Sequence, residues 1–307
     1  MRGAFVRSLC DLAEADTRIL LLTGDLGFSV VEPFADRFPE RFYNVGVAEQ
    51  NMIGLATGLA ESGFIPFVYS IVTFASLRGY EFIRNGPILH GLPVRIVGVG
   101  GGFEYGPAGI THHGLEDLGV MRIQPGITVV APADHEQTVN ALRSTYALPR
   151  PVYYRIGKDD TNVVPGLDGR FALDRVQLVT EGGDLLMLCM GAVSRDVARV
   201  AETLRPLGIS ATVGVVSSFN PAPTDEISSL LGSFRVAITV ETHYLNGALG
   251  SLVCEVAAES ASACRIVRCG VRDSGGGVTG SEPYLVQRHG LSHDSLVETA
   301  RLAVGSS

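Results

Sequence analysis

Residues 44–63 read NVGVAEQNMIGLATGLAESG, and this stretch decides how the rest of the chain is interpreted. A short apolar run ends at Glu49, and small and apolar residues then follow with helical spacing, which predicts a helix over residues 48–62. The glycines at positions 54 and 58 lie one turn apart and permit very close packing against a neighbour. The helix dipole favours an ionised Glu49, whereas apolar surroundings favour the protonated form. Glu49 is therefore either a plain capping residue or a group poised to share a proton.

Strand-like apolar runs alternate with helix-like segments in the first half of the chain, the pattern of α/β architecture. The runs are almost continuously apolar, as expected of parallel strands that helices cover on both faces. The predicted strands are residues 19–23, 66–71, 94–99, 128–131 and 152–156. The predicted helices are residues 48–62, 74–89 and 134–146, the last with a capping box of Asp134 and Gln137.

A second α/β pattern follows residues 157–174, which mix charge, glycine and proline without periodicity, as a linker does. Its predicted strands are residues 185–190, 210–216, 236–240 and 265–269, and its predicted helices are residues 194–206, 247–259 and 292–302. We therefore predict two three-layer α/β domains, each with a mainly parallel sheet covered by helices. The first spans residues 1–165, a linker spans 166–180, and the second domain spans 181–307.

Composition excludes several classes of function. The 307 residues carry a net charge of -8, which argues against nucleic acid or an anionic membrane as the partner. No apolar run approaches the roughly 20 residues of a membrane span, and residues 1–12 do not read as a signal peptide. The five scattered cysteines are typical of reduced, buried thiols, so we expect a cytoplasmic protein.

Several blocks in order along the chain resemble the transketolase family. They are VGVAEQ at 45–50, TF at 73–74, RGYE at 78–81, THH at 111–113, ED at 116–117, PGITVVAPAD at 125–134, TVETH at 239–243 and GALG at 247–250. The first blocks resemble the family's pyrimidine-binding domain, and the last two resemble its C-terminal domain. The resemblance runs from about residue 3 to residue 304.

This resemblance implies that the chain acts with thiamine diphosphate. In the family, a glutamate at the position of Glu49 shares a proton with the pyrimidine N1′ and so activates the cofactor, while Phe74 would stack on that ring. His112 corresponds to the histidine that faces the donor's carbonyl end and exchanges a proton there. Asp25 corresponds to an aspartate that helps arrange the cofactor end of the dimer interface.

The substrate side of the resemblance is incomplete. Ser29 and Arg155 match a serine and an arginine that bind substrate phosphate, the arginine in bidentate fashion. Ala108, however, stands where transketolases have an aspartate that recognises a substrate hydroxyl, and Gly100 replaces a phosphate-contacting histidine. The related synthases place an arginine one residue later, where this chain has Gly101. Our hypothesis is that the substrate, a small sugar or keto compound, differs from the usual sugar phosphates and lacks the phosphate or one hydroxyl.

The family's diphosphate-binding domain has no counterpart in this sequence. That domain carries Gly-Asp-Gly and a later asparagine, which hold Mg²⁺ or Ca²⁺ with the diphosphate. Here Gly24-Asp25 is followed by Leu26, so no metal site is expected in this chain. The chain starts directly at the pyrimidine-binding region. We therefore expect the second subunit of a split enzyme, whose N-terminal partner subunit holds the metal, most naturally as an α2β2 assembly.

The predicted activity is the transfer of a two-carbon ketol unit from a ketose donor to an aldehyde acceptor. One alternative is an acyloin-forming enzyme like 1-deoxyxylulose-5-phosphate synthase. Another is the β subunit of a 2-oxoacid dehydrogenase component, which normally carries a His-Ser-Gln-like segment in place of residues 111–113. A regulatory partner without catalysis is the non-enzymatic alternative.

Overall fold

The computed structural model describes residues 1–274 and 276–305, which form two sheets, each lying between layers of helices. Seven strands form the first sheet in the order β10-β5-β6-β4-β3-β1-β2, and five form the second in the order β12-β11-β8-β9-β7. All neighbours are parallel except β10 with β5 and β7 with β9. The predicted fold class, two three-layer α/β units with mainly parallel sheets, is confirmed.

The strands are β1 (Ile19–Thr23), β2 (Phe42–Asn44), β3 (Ile65–Ile71), β4 (Arg95–Val99), β5 (Thr128–Val130), β6 (Val152–Ile156), β7 (Val176–Thr180), β8 (Leu185–Cys189), β9 (Ala211–Val216), β10 (Ser218–Asn220), β11 (Val236–Tyr244) and β12 (Arg265–Val271). The α-helices are α1 (Arg2–Ala15), α2 (Glu32–Arg37), α3 (Glu49–Glu61), α4 (Tyr80–Ile83), α5 (Asp117–Arg122), α6 (His135–Thr145), α7 (Ser194–Leu204), α8 (Thr224–Ser233), α9 (Leu249–Glu259), α10 (Glu282–Arg288) and α11 (His293–Gly305).

The three-layer arrangement follows from side-chain alternation along fully buried strands. In β1, Ile19 and Leu21 pack with α1, α2 and α6, whereas Leu20 and Leu22 pack with α3 on the other face. Strand β8 alternates in the same way between α7 and α11 on one face and α9 on the other. The cluster that contains α3 and α9 is continuous, so the two sheets share one apolar core between them.

Several observed elements differ from the predicted ones: strand β10 and helices α2, α5, α8 and α10 were not predicted, and four further differences bear on the fold. Strand β2 and helix α1 were not predicted, because β2 is only three residues long and α1 mixes polar with apolar residues. The predicted helix over residues 74–89 is interrupted, with π-helical turns at Phe74–Arg78 and Arg84–Ile88 on either side of α4. Strand β7 occupies the last five residues of the predicted linker.

A buried polar joint fixes the two sheets relative to each other. Arg155 at the end of β6 donates to the carbonyl oxygens of Gly114 (2.8 Å) and Thr242 (2.9 Å), and its Nε lies 3.2 Å from Asp117 Oδ2. Tyr153 donates to the same carboxylate at 2.8 Å. Because Thr242 belongs to β11, this cluster ties the second sheet to the loop that precedes α5.

His243 completes the joint. Its Nδ1 donates to the Tyr244 carbonyl at 2.8 Å, and its Nε2 accepts from the Gly119 amide at 3.4 Å. Burial lowers the pKa of His243 to about 4, with the Asp117 carboxylate opposing the shift. The imidazole is therefore neutral at pH 7, with the single proton that this bonding pattern requires.

Within residues 1–274 and 276–305, no helix is both long enough and apolar enough to cross a membrane.

Glu241 caps helix α9 from inside the core, and its removal tests this part of the fold. Its two carboxylate oxygens accept the amides of Leu249 (2.9 Å) and Gly250 (2.8 Å). Glu241→Ala leaves both buried donors unpaired, so we expect the free energy of unfolding to fall by about 2–4 kcal/mol. Urea unfolding measures the change. Glu259→Ala, at the exposed end of the same helix, is the control, and an equal loss there would contradict the capping role.

Candidate active site

The predicted site residues lie where the strands of the first sheet end. Glu49 begins α3 shortly after β2, Phe74 follows β3, and Gly100 follows β4. Parallel strands present their carboxyl ends at one edge of the sheet, which is where α/β proteins bind ligands. Residues that are far apart in sequence therefore meet at this edge.

Glu49 is a buried carboxylate with two side-chain partners. Only 1% of its surface is exposed. Arg78 Nη1 donates to Glu49 Oε2 at 2.6 Å, and Ser70 Oγ donates weakly to Oε1 at 3.4 Å. Gly24 lies beside the carboxylate, since a Cβ at Gly24 would sit 3.6 Å from Oε1. Sequence reasoning did not identify Ser70 or Gly24, because nothing local marks their approach to α3.

Phe74 and His112 form the aromatic part of the site. Their rings meet edge to face with centroids 5.0 Å apart, and both side chains are half-buried. Burial is the main cause that lowers the pKa of His112, and electrostatic interactions with His113 and with the Arg78 guanidinium lower it further. Thr111 Oγ1 lies 2.9 Å from His112 Nδ1 and so orients the ring. A largely neutral imidazole at this position can accept or donate a proton near pH 7.

Tyr105 occupies the space next to Gly100. Gly100 has φ +84°, a conformation that favours glycine, and a Cβ there would overlap the Tyr105 ring. Tyr105 also lies near His112, with ring centroids 6.2 Å apart, and Lys158 Nζ lies 4.1 Å from its centroid. The Tyr105 ring, which comes from the following loop, therefore fills the space that a side chain at position 100 would take.

Arg155 points towards the buried polar joint between the two sheets. Its side chain is 6% exposed and makes the contacts with Asp117, Gly114 and Thr242 described above. A Cβ at Gly101 would lie 2.6 Å from the Arg155 Cζ, so the glycine leaves the room that the guanidinium fills. No contact joins Arg155 to Glu49, Phe74 or His112 in the part of the chain that the structure describes.

The remaining predicted residues lie at the exposed rim. Asp25 (φ 58°) exchanges two hydrogen bonds with Asn44, at 3.0 and 3.1 Å. Ser29 (φ 63°) is exposed, and its amide donates to Glu32 Oε1 at 2.7 Å. Ala108 is exposed at the end of the 3-10 turn Gly106–Ala108. One residue, Gly109, separates this turn from the next, which carries His112.

His113 is a structural residue. It is 3% exposed, its Nε2 lies 3.1 Å from the Gly106 carbonyl oxygen, and its ring meets Phe103 edge to face. Phe103 also stacks on His289, with centroids 5.2 Å apart. These contacts hold the loop that carries Tyr105 and His112.

The site suits one half of thiamine diphosphate. A buried carboxylate beside an aromatic face can bind an aminopyrimidine through a proton and a stacking contact. The diphosphate requires a divalent metal, and residues 1–274 and 276–305 contain no cluster of three or more His, Cys, Asp or Glu side chains that could bind one. The described residues can therefore hold the pyrimidine end of the cofactor.

Two family models match the chain: the transketolase pyrimidine-binding domain over residues 1–163 and the transketolase C-terminal domain over residues 174–296. A putative transketolase C-terminal section of Methanocaldococcus jannaschii is 34% identical over 301 residues, covering 97% of this chain and 94% of the relative. A 6-deoxy-6-sulfo-D-fructose transketolase subunit of a Clostridium species is also 34% identical over 301 residues, at 98% and 93% coverage. Among solved structures, a split gene transketolase described as an inactive beta4 tetramer matches with TM-score 0.89 and 32% identity, covering 99% of this chain and 98% of that one.

The packing of Tyr105 against Gly100 can be tested by adding a methyl group. Gly100→Ala forces both a strained backbone and a clash, so we expect the free energy of unfolding to fall by about 2–4 kcal/mol. Gly208→Ala is the matched control, because Gly208 has φ +81° but open space around its Cβ, and should cost only about 1 kcal/mol. Equal losses in urea unfolding would show that Tyr105 does not fill this space.

Proposed function

The chain belongs to the transketolase family, and from that premise we propose that it is one subunit of a heteromeric, thiamine diphosphate-dependent transketolase. It transfers a two-carbon ketol unit from a ketose donor to an aldehyde acceptor. The observation that carries this proposal is the buried Glu49 carboxylate at the end of the first sheet's strands: Arg78 bonds to it and also lies over the Phe74 ring, which meets the His112 ring edge to face.

The roles of these residues follow from their chemistry. Thiamine diphosphate, when bound, supplies a nucleophilic carbon that can attack the donor's carbonyl group. Glu49 holds the proton shared with the pyrimidine nitrogen, and its burial shields that proton from water. Phe74 provides the flat surface against the pyrimidine ring. His112 donates to the oxygen of the donor carbonyl as negative charge develops there, then takes the proton back.

A partner subunit completes the proposed cofactor site. We propose that an N-terminal transketolase subunit holds the diphosphate and the Mg²⁺ or Ca²⁺ ion, and that Asp25 helps arrange the cofactor end of the shared interface. The structural relative is described as an inactive tetramer of β chains, which supports self-association and a need for the partner. An α2β2 assembly satisfies both requirements.

Helices α3 and α4 offer a surface for such association. Gly54 and Gly58 are exposed one turn apart on α3, and among the described residues no other element approaches within 4 Å of a Cβ at Gly58. Leu55 and Phe82 are each 42% exposed beside them. An apolar surface with small residues at its centre lets another subunit approach closely, and this would bury α3 just behind Glu49.

The substrate is proposed to differ from the usual sugar phosphates. Gly100 and Ala108 offer no polar side chain. The Arg155 guanidinium is bound within the buried polar joint between the two sheets. With Arg155 engaged by Asp117, Gly114 and Thr242, Ser29 at the rim and His112 inside are the polar groups left from the predicted substrate set. The Clostridium relative is named for a substrate with a sulfonate at C6, which supports substrate variation among chains of this kind.

The domain division stays a proposal: residues 1–165 bind the pyrimidine, residues 166–180 link, and residues 181–307 form the C-terminal domain. The two sheets support it, although β7 begins inside the linker and β10 joins the first sheet. We also propose that the complex works in the cytoplasm, which the five free cysteines support.

Replacing Glu49 tests the proposed function. In the complex of both subunits, Glu49→Gln should lower kcat for ketol transfer by about 10²–10⁴-fold, because the amide cannot exchange the shared proton. Glu61→Gln, at the exposed end of the same helix, should leave kcat unchanged. The isolated chain should give no turnover. Full activity of the Glu49→Gln complex would instead favour a regulatory role for this chain.

Substrate choice is tested by comparing D-xylulose 5-phosphate with D-xylulose as donors for the reconstituted complex. A charge-assisted phosphate contact is worth roughly 10–150-fold in binding, and this site lacks the family's histidine. We therefore expect the two kcat/KM values to lie within about tenfold of each other. A preference for the phosphorylated donor of well over 100-fold would reject the proposed substrate difference.

A further inference from the structure

Arg78 makes two contacts at once inside the candidate site. Its Nη1 donates to Glu49 Oε2 at 2.6 Å, and its Cζ lies 4.2 Å from the centroid of the Phe74 ring. The guanidinium is flat and delocalised, so it can lie over an aromatic face while its edge bonds to a carboxylate. Both contacts use the groups to which the pyrimidine ring is assigned above.

The local backbone explains why Arg78 reaches both partners. Residues Phe74–Arg78 form a π-helical turn, a rare geometry that recurs at functional sites. Phe74 is the first residue of this turn and Arg78 the last, so their side chains meet on one face. Arg78 is 41% exposed, so its charged group enters the site from the solvent side and has room to leave it.

We propose that Arg78 occupies the place of the pyrimidine ring in the cofactor-free subunit and is displaced when thiamine diphosphate binds. This inference rests on the proposed function. Arg78 serves as a temporary counter-ion: it neutralises the buried Glu49 and covers Phe74 until the cofactor takes over both contacts.

The physical reason is the cost of leaving Glu49 alone. A carboxylate that is 1% exposed and has only one long bond from Ser70 is poorly compensated without a cation. Arg78 is the only cationic side chain that pairs with Glu49 in residues 1–274 and 276–305. The same pairing that stabilises Glu49 opposes cofactor binding, because a ligand binds more weakly when it must first break a contact.

Cofactor affinity in the complete complex provides the first test. Arg78→Met keeps a chain of similar length but removes the competing charge, so the Kd for thiamine diphosphate, measured by titration calorimetry with excess Mg²⁺, should fall by about 3–10-fold. Arg84→Met is the matched control on the same segment, since Arg84 is exposed and donates to the Asn85 side chain, and its Kd should equal that of the unmodified complex. An unchanged or higher Kd for Arg78→Met overturns the proposal, because Arg78 would then be neutral or a direct cofactor contact.

The stability of the cofactor-free chain provides the second test. Arg78→Met should lower the thermal midpoint by about 2–4 °C relative to Arg84→Met, since Glu49 loses its counter-ion. Adding Glu49→Gln to Arg78→Met should recover most of that loss, because a neutral amide needs no cation. Equal midpoints for Arg78→Met and Arg84→Met would overturn the counter-ion role.

The two measurements separate this inference from the proposed function. A complex of unmodified subunits that binds no thiamine diphosphate refutes the proposed function, and the displacement of Arg78 by cofactor with it. Normal binding by that complex, combined with no gain in affinity for Arg78→Met, refutes only the role assigned to Arg78.

Discussion

The buried cluster around Asp117 is the interaction on which the site geometry depends. Asp117 is 1% exposed and accepts from Tyr153 while it faces the Arg155 guanidinium. Buried ion pairs of this kind require good geometry and further hydrogen bonds, and Gly114 and Thr242 provide acceptors for the arginine. The loop between β4 and α5 is therefore held at its end by both sheets. His112 lies in that loop, so its position against Phe74 depends on contacts made by the second sheet.

Much of the fold could be predicted from the sequence because fully buried parallel strands have continuous apolar runs. Strands β1, β6 and β9 were predicted to within one residue of their observed bounds. Strand β10 was not, because three residues carry too little periodicity and its partner β5 lies 90 residues earlier. The π-helical turns also escaped prediction, since their residues have ordinary helical composition.

Site residues could be predicted where the side-chain type and the neighbouring sequence together indicated a role. Glu49, Phe74 and His112 came from local blocks; in the structure Phe74 contacts His112 directly, and Arg78 links Phe74 to Glu49. Arg78 was visible only as part of a matched block, and its pairing with Glu49 required the three-dimensional approach of β3 and α3. Arg155 was also identified from a local block, but its orientation could not be predicted, because it depends on the space left at Gly101.

Because of strand β10, the first sheet can be completed only after part of the second sheet has been synthesised. Strand β10 pairs antiparallel with β5 and closes one edge of the first sheet, although it follows β7, β8 and β9 of the second. On a ribosome, β5 would thus stay unpaired on one side until residue 220 has emerged, after three of the five strands of the second sheet. Separately expressed halves cut near residue 170 would share this defect, because the first half would expose β5 to pairing with other chains.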